Sequence, residues 1–328
     1  MTMKLTLVRP SDYVAEATEL IHRAKNRVVV IAMVVADHGR MRPMIDALVK
    51  AAERGVKVSV AADVFTYGEV NGSFLPIRYS SKGPRAATAM ARELKKAGVH
   101  FAWLGHGRVT LFNGRTHSKW CVVDDTSFVF GGVNLYEEGL DHSDFMFRVT
   151  DTELANHLDK EWHHIIRAER ASTNFRSHTL TLPVGTALFD GGIIGRSIIY
   201  KRACELTMFA KHVTFVSQYC PTSKLARELK KVSHTLYFNR PEQASFLNRL
   251  LLKLSMALSG LKTEYTKKPY VHAKYMIFTM YDGSKIALTG SHNFAYTGVL
   301  FGTREIALET SNPAIIKQLE SFTKSYIH

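Results

Sequence analysis

Residues 117–134 read His117-Ser118-Lys119-Trp120-Cys121-Val122-Val123-Asp124, a turn, Phe128-Val129-Phe130, and then Gly131-Gly132-Val133-Asn134. Side chains two apart on a strand share a face, so His117 and Lys119 emerge together where a strand begins. The apolar Trp120–Val123 then enters a core, and a tight turn returns the chain along Phe128–Phe130. Glycine permits a close backbone approach there, and Asn134 arrives at the end from which His117 set out. The device recurs at 272–293. His272-Ala273-Lys274 leads into Tyr275-Met276-Ile277-Phe278 and Thr279, and Ile286–Leu288 returns to Gly290-Ser291-His292-Asn293. One His-x-Lys is an ordinary tripeptide. Two copies, each trailed by Gly-x-x-Asn, point to a duplicated unit.

The flanking sequence repeats as well. Ser11 is placed to cap a helix over Asp12–Lys25, with Val14, Ala17, Leu20 and Ile21 at helical spacing. Val28–Val35 reads as a buried strand, Met41–Arg54 as a helix closed by Gly55, and Val56–Val64 as a strand. Thr66–Pro84 reads as a long loop, Arg85–Lys96 as a helix stopped by Gly98, and Val99–Leu104 as a strand. In the second half the order returns as helix Ser197–Lys211, strand Val213–Ser217, helix Ser223–Val232, strand Thr235–Phe238 and helix Glu242–Ser259. Asp151–Glu169 is an amphipathic helix between the halves, and Thr173–His178 is the connector. The expected fold class is α/β, as two pseudo-symmetric α/β domains, each a mixed β-sheet flanked by helices. The expected domains are residues 1–172 and 173–328, with the two motifs meeting in one cleft between them.

Composition narrows the partners. The 328 residues carry 43 Lys+Arg against 29 Asp+Glu, a net charge of +14, which favours nucleic acid, an anionic membrane surface or phosphate-bearing small molecules. No run of about 18 apolar residues suggests a membrane span, and the N-terminal residues lack a secretory signal, so a cytoplasmic location is expected. Cys121, Cys204 and Cys220 lie far apart and read as buried reduced thiols. Neither Cys-x-x-Cys nor His-Glu-x-x-His occurs, so neither a metal nor a cofactor is expected.

Two imidazoles, two ammonium groups and two amides suit a phosphodiester. Lys119, Lys274, Asn134 and Asn293 are placed to donate hydrogen bonds to non-bridging oxygens as charge builds. One imidazole can attack phosphorus while the other protonates the leaving alkoxide and then activates the incoming water or alcohol. At these residues the sequence resembles the phospholipase D superfamily, whose signature is His-x-Lys-x4-Asp followed by Gly-Gly/Ser-x-Asn, twice in fused members. The first motif matches in full, including Asp124. The second has Thr279 at the aspartate position and four extra residues within Tyr281–Lys285, where Asp282 lies out of register.

The resemblance implies a phospholipase D fold, His117 as nucleophile, His272 as general acid and base, and a covalent phosphohistidine. It also implies a histidine-orienting acid after each Asn. Asp144 and Glu305 are the expected pair, with Glu137, Glu138 and Asp141 competing for the first place. The implied activity is that of a phosphatidyltransferase or phospholipase D, similar to cardiolipin and phosphatidylserine synthases. Its substrate would be an anionic phospholipid met by peripheral contact with the inner face of the membrane, and a monomer would suffice. The alternative is a metal-independent nuclease or DNA-end phosphodiesterase of the same superfamily.

Other segments carry weaker expectations. Phe246–Ser259 reads as a core-packing helix in preference to an interfacial one, because its apolar residues cover more than one face. Ile193 and Ile194 face either a lipid or the core. Lys82 and Arg85 belong to a lid, a clamp or a solvated insertion. Lys262–Lys268 with Tyr265 and Tyr270 suggests a phosphate-rich ligand or a solvated loop. His163 and His164 read as packing or surface residues, and Trp103, Trp120 and Trp162 as core anchors.

Overall fold

The computed structural model describes residues 3–64, 82–105, 114–244 and 246–328. The apolar runs become the central strands of two seven-stranded sheets. In the first sheet the order is β1 (Thr6–Val8), β7 (Met146–Thr150), β6 (Thr126–Val129), β5 (Trp120–Val123), β2 (Arg27–Ala32), β3 (Lys57–Asp63) and β4 (His100–Leu104). In the second it is β11 (Ser233–Tyr237), β10 (Ala210–Val216), β12 (Tyr275–Met280), β13 (Lys285–Gly290), β14 (Arg304–Thr310), β9 (Gly185–Gly191) and β8 (His178–Leu182). In each, a parallel pair, β2 with β3 or β10 with β11, adjoins an antiparallel run that begins with the motif strand β5 or β12. The shared order is the duplication seen in three dimensions. The first sheet adds β4 at one edge, and the second adds β8 at the opposite edge.

Alternation along the strands divides the core. Val28 and Val30 face one cluster with α1 (Pro10–Arg23), α2 (Arg42–Glu53) and α3 (Lys82–Lys96), while Val29 and Ile31 face another. Met276 and Phe278 face α5 (Ile198–Phe209) and α6 (Ser223–Leu229), while Tyr275 and Ile277 face inward. The inward faces of both sheets meet in one shared cluster filled by α4 (Thr152–Arg170) and α9 (Pro313–Phe322). Trp120, Trp162, Phe145, Tyr275 and Phe322 belong to it, so the halves share a core and do not merely touch. Cutting either tryptophan to alanine would cost about 3–5 kcal/mol.

Several expected boundaries move for identifiable reasons. The first helix starts at Pro10, whose ring suits the first helical position, and not after a Ser11 cap. Asp151 and Ser197 do cap α4 and α5, accepting from Leu154 N and Tyr200 N. The strand expected at Val213 begins at Ala210, because α5 runs straight into it. The hairpin β8–β9 and the short β1 were not anticipated. The expected helix over Glu242–Ser259 divides into a single turn at Pro241–Gln243 and α7 (Phe246–Ser259).

Nor does α7 pack as a core helix. It buries Leu252 and Ser259 but leaves Leu250, Leu251, Leu254 and Leu258 between 43% and 77% exposed. Of the loop expected over Thr66–Pro84, residues 66–81 lie outside the described residues, and Lys82–Pro84 form the start of α3. The Lys82 side chain likewise lies outside them, and Arg85 is exposed on α3. The three cysteines are buried and free. Trp120 and Trp162 are core anchors, whereas Trp103 is half-buried.

Candidate active site

Each motif histidine is anchored by backbone from the opposite half. Thr116 bridges Arg304, and the N–H groups of His117 and Ser118 donate to Arg304 O at 2.8 and 3.0 Å. Val271 bridges Ser143 in the same way, and the N–H groups of His272 and Ala273 donate to Ser143 O at 3.1 and 2.9 Å. The next residue after each anchoring carbonyl is an acid. Glu305 Oε2 therefore lies 2.9 Å from His117 Nδ1, and Asp144 Oδ2 lies 2.7 Å from His272 Nδ1. The pairs cross between halves, so neither half is complete by itself. Engaging Nδ1 in both cases leaves each Nε2 available for chemistry.

Glycine makes the crossing possible. A Cβ on Gly131 would sit 1.9 Å from Phe145 O, and one on Gly290 would sit 2.1 Å from Ile306 O. A Cβ on Gly132 would meet Asp144 Oδ2 at 2.8 Å, so the first half needs a second glycine to admit the carboxylate. The second half has Ser291 there, and its hydroxyl donates to Glu305 Oε2, while Thr303 Oγ1 donates to Oε1 at 3.1 Å.

The lysines turn back on their own strands. Lys119 Nζ donates to His117 O at 2.6 Å, and Lys274 Nζ donates to His272 O while lying 3.1 Å from His272 Nδ1. Both are buried. Burial, with repulsion from Lys274, pushes Lys119 down to about 7, and burial offset by Asp144 and Glu305 brings Lys274 down to about 8. Burial lowers His117 to about 4 against the pull of Glu305, and burial with Lys274 lowers His272 well below the usual range. Burial alone would raise Glu305, but the charge and hydrogen bond of His117 outweigh it and hold the carboxyl at about 2. Near neutral pH the first pair is therefore a carboxylate and a neutral imidazole. Lys119, Lys274, both histidines and both acids act on one another's charge, which makes one cluster of them.

Of the residues singled out in the sequence, Asp124 is not brought to this cluster. It sits at the far end of β5, seven residues and about 20 Å of extended chain from His117. There its carboxylate accepts from the N–H groups of Lys25, Asn26 and Arg27 at 3.0, 2.8 and 3.0 Å. Its task is to hold the α1–β2 turn. Thr279 needs no such carboxylate, because α5 joins β10 with no intervening turn and a bulge between Ala210 and His212 absorbs the join.

Asn134 Oδ1 accepts from Val34 N at 3.4 Å, leaving its amide nitrogen as a donor, and Asn293 Oδ1 is buried without a hydrogen-bond partner. Among the described residues neither is hydrogen-bonded to its own His or Lys. Of the competing acids, Glu137 and Asp141 pair with Arg40, outside the cluster.

Three participants were not read from the sequence. His142 lies between His272 and Tyr270 in tilted ring contacts, with centroids 5.6 and 5.2 Å away. His292 accepts from Phe294 N at 2.8 Å and acts electrostatically on Glu305. Arg304, fully buried, reaches Gly114 O at 2.8 Å, Thr116 Oγ1 at 3.1 Å, Thr173 O at 2.9 Å and the Glu169 carboxylate. It joins the segment before His117 to the connector between halves. The only sequence signal for these residues was adjacency to a motif or to a candidate acid.

A family model described as cardiolipin synthase, PLD-like domain, matches residues 17–166, which contain the first motif. Over these residues the chain resembles the phospholipase D superfamily. That superfamily comprises phosphodiesterase and phosphatidyltransferase enzymes. Phosphatidylserine synthase from Haemophilus influenzae Rd KW20 has a similar structure, with a TM-score of 0.71 at 15% identity over 98% of this chain and 85% of that one. Polyphosphate kinase from Porphyromonas gingivalis aligns with a TM-score of 0.61 at 12% identity over 97% of this chain. The chain spans 49% of that kinase's length. At these identities the likeness is one of fold. No curated protein sequence matches the chain. Within this phospholipase D fold, no described helix is long and apolar enough to cross a membrane.

Proposed function

We propose that the chain is a phosphatidyltransferase of the cardiolipin synthase kind, acting on phospholipid phosphodiesters through a covalent phosphohistidine at His117. The observation that carries this reading is the crossed pair of histidine–carboxylate contacts, His117 with Glu305 and His272 with Asp144, in one charge cluster with two buried lysines.

His117 Nε2 attacks phosphorus as a neutral imidazole oriented by Glu305. A P–N bond forms, the P–O bond to the leaving alkoxide breaks, and His272 gives that oxygen its proton. The incoming alcohol or water then gives its proton to His272 and attacks phosphorus, and the P–N bond breaks. Two in-line displacements retain configuration at phosphorus. Lys119 and Lys274, with the Asn134 and Asn293 amides, hold the non-bridging oxygens. The buried cations repel one another. An arriving phosphodiester anion relieves that repulsion and lets His272 hold the proton it must donate.

The lipid assignment rests on surface chemistry. The exposed leucines of α7 form a stripe flanked by exposed Arg249 and Lys253, with no acid on the helix, which suits shallow insertion into an anionic surface. Ile194, Leu300 and Phe301 are also exposed, and Phe301 O accepts from Gly114 N, three residues before His117. The nuclease reading uses the same chemistry and the same +14 charge. Its Lys262–Lys268 cluster is weakened by the complete burial of Tyr265, which cannot stack on a base.

The test is turnover of phosphatidylglycerol vesicles and of labelled single-stranded DNA, with a chelator present, by the native chain, His117→Ala and His272→Ala. Lipid turnover lost in both variants is expected. Cleavage of DNA alone, lost in the same variants, would replace the lipid reading and keep the two-histidine chemistry.

A further inference from the structure

We propose that the chain holds a transition-metal ion, with zinc as the reference species, between His157 and Glu161 of α4 and His178 at the start of β8. The proposal is independent of the phosphodiester reading. His157 and Glu161 are four residues apart and so share one face of the helix. One ligand atom from each of the three side chains lies within 4.8 Å of the others, and His178 Nε2 is 3.5 Å from Glu161 Oε2.

Two further features favour a ligand there. His157 Nε2 is buried with no hydrogen-bond partner, a costly state for an imidazole nitrogen. The Glu161 side chain is 7% exposed; the imidazoles of His178 and, at 3.7 Å, His164 lie within ion-pair distance of it, and Arg304 acts on its charge from farther off. Buried Phe189 holds both rings, stacking on His178 at 4.8 Å and lying 5.1 Å from His157.

Two imidazoles and one carboxylate are a zinc donor set with one position left open. His157 also borders an open hollow of about 380 Å³ lined by Thr152, Glu153, Asn156, Lys160 and Leu180, so solvent reaches one side of the cluster. Zinc bonds of about 2.0–2.1 Å require the donor atoms to draw together by roughly 1 Å, within reach of side-chain torsions. The ion would clasp α4 to the edge of the second sheet.

The experiment uses the full chain, stripped with chelator and dialysed, then titrated with zinc chloride by calorimetry and followed by thermal melting. One ion per chain is expected, with a melting rise of about 4 °C at a hundredfold excess over Kd. Affinity should fall at least 100-fold in His178→Ala and in His157→Gln, with turnover at the histidine cluster within about twofold of native. His163→Ala, on a half-buried neighbour outside the cluster, should bind as native does. Cobalt in place of zinc should give the visible bands of a tetrahedral site, lost in His178→Ala. No uptake would overturn the proposal. So would uptake unchanged in His178→Ala, or uptake lost only in His117→Ala and His272→Ala.

Discussion

In the first half the motif ends in Asp124, which ties down an exposed turn; in the second Thr279 takes that place, and there is no turn to tie. The halves differ again at the site. Asp144 fits against a bare Gly132, whereas the longer Glu305 is held by the Ser291 and Thr303 hydroxyls. They differ a third time in the residue before the acid. Ser143 contributes its carbonyl, but Arg304 adds a buried guanidinium that binds three other segments. Both halves thus share what the proposed chemistry requires, namely His, Lys and a carboxylate from the other side. Their supporting contacts diverge wherever the local backbone differs.

The largest effects should be at the histidines. His117→Ala and His272→Ala should each lose at least about 10⁴-fold in turnover, because the two act as a unit. With a substrate whose leaving group needs no proton, phosphohistidine should accumulate in His272→Ala and be absent in His117→Ala, as read by mass spectrometry. Label found on His272 would reverse the assignment of roles.

Next in size is the contrast before the acids. Arg304→Met should cost about 3–5 kcal/mol in denaturant unfolding, since it takes a buried cation from Glu169 and a donor from the Gly114 and Thr173 carbonyls, while Ser143→Ala should cost under about 1 kcal/mol. Equal losses would contradict the unequal bracing of the halves. Glu305→Gln and Asp144→Asn should each lower kcat about 10–100-fold with little change in KM, the mark of residues that orient an imidazole.

Phosphate affinity should weaken about tenfold per pH unit between 7 and 8, as Lys119 at about 7 loses its charge, and up to about a hundredfold per unit above 8, where Lys274 at about 8 loses its charge as well. Lys274→Met should move the onset upward by removing the repulsion that depresses Lys119. An unmoved profile would place the titration elsewhere.

The smallest effect tests the motif aspartate. Asp124→Asn should cost about 1 kcal/mol, because its backbone contacts are partly open to solvent, and Thr279→Asp should change stability by less than about 0.5 kcal/mol. Burial opposes the Asp124 charge, but the N–H groups of Lys25, Arg27 and Asn26 outweigh it and lower its pKa. Its contribution is therefore present above the ordinary aspartate value and fades as pH falls through the lowered one. A loss of turnover exceeding the loss of stability in Asp124→Asn would return the residue to the chemistry.

Strand and helix periodicity made the duplicated α/β plan legible, because Val28–Ile31, Trp120–Val123 and Tyr275–Phe278 are buried runs whose alternation is local. The two His-x-Lys pairs were legible for the same reason, since a spacing of two on a strand sets the face whatever the surroundings. Thr6–Val8 and the β8–β9 hairpin were not, because strands this short or this polar are defined by their partners. The face that α7 hides was also beyond the pattern, since leucine occurs around most of its circumference. The sequence by itself determined which side chains leave each strand together, and so the paired histidines and lysines. Only the tertiary structure decided that Glu305 meets His117 and Asp144 meets His272, and that Asp124 serves a turn about a hundred residues back. Those contacts depend on which backbones lie side by side across the shared core, and no local spacing encodes that.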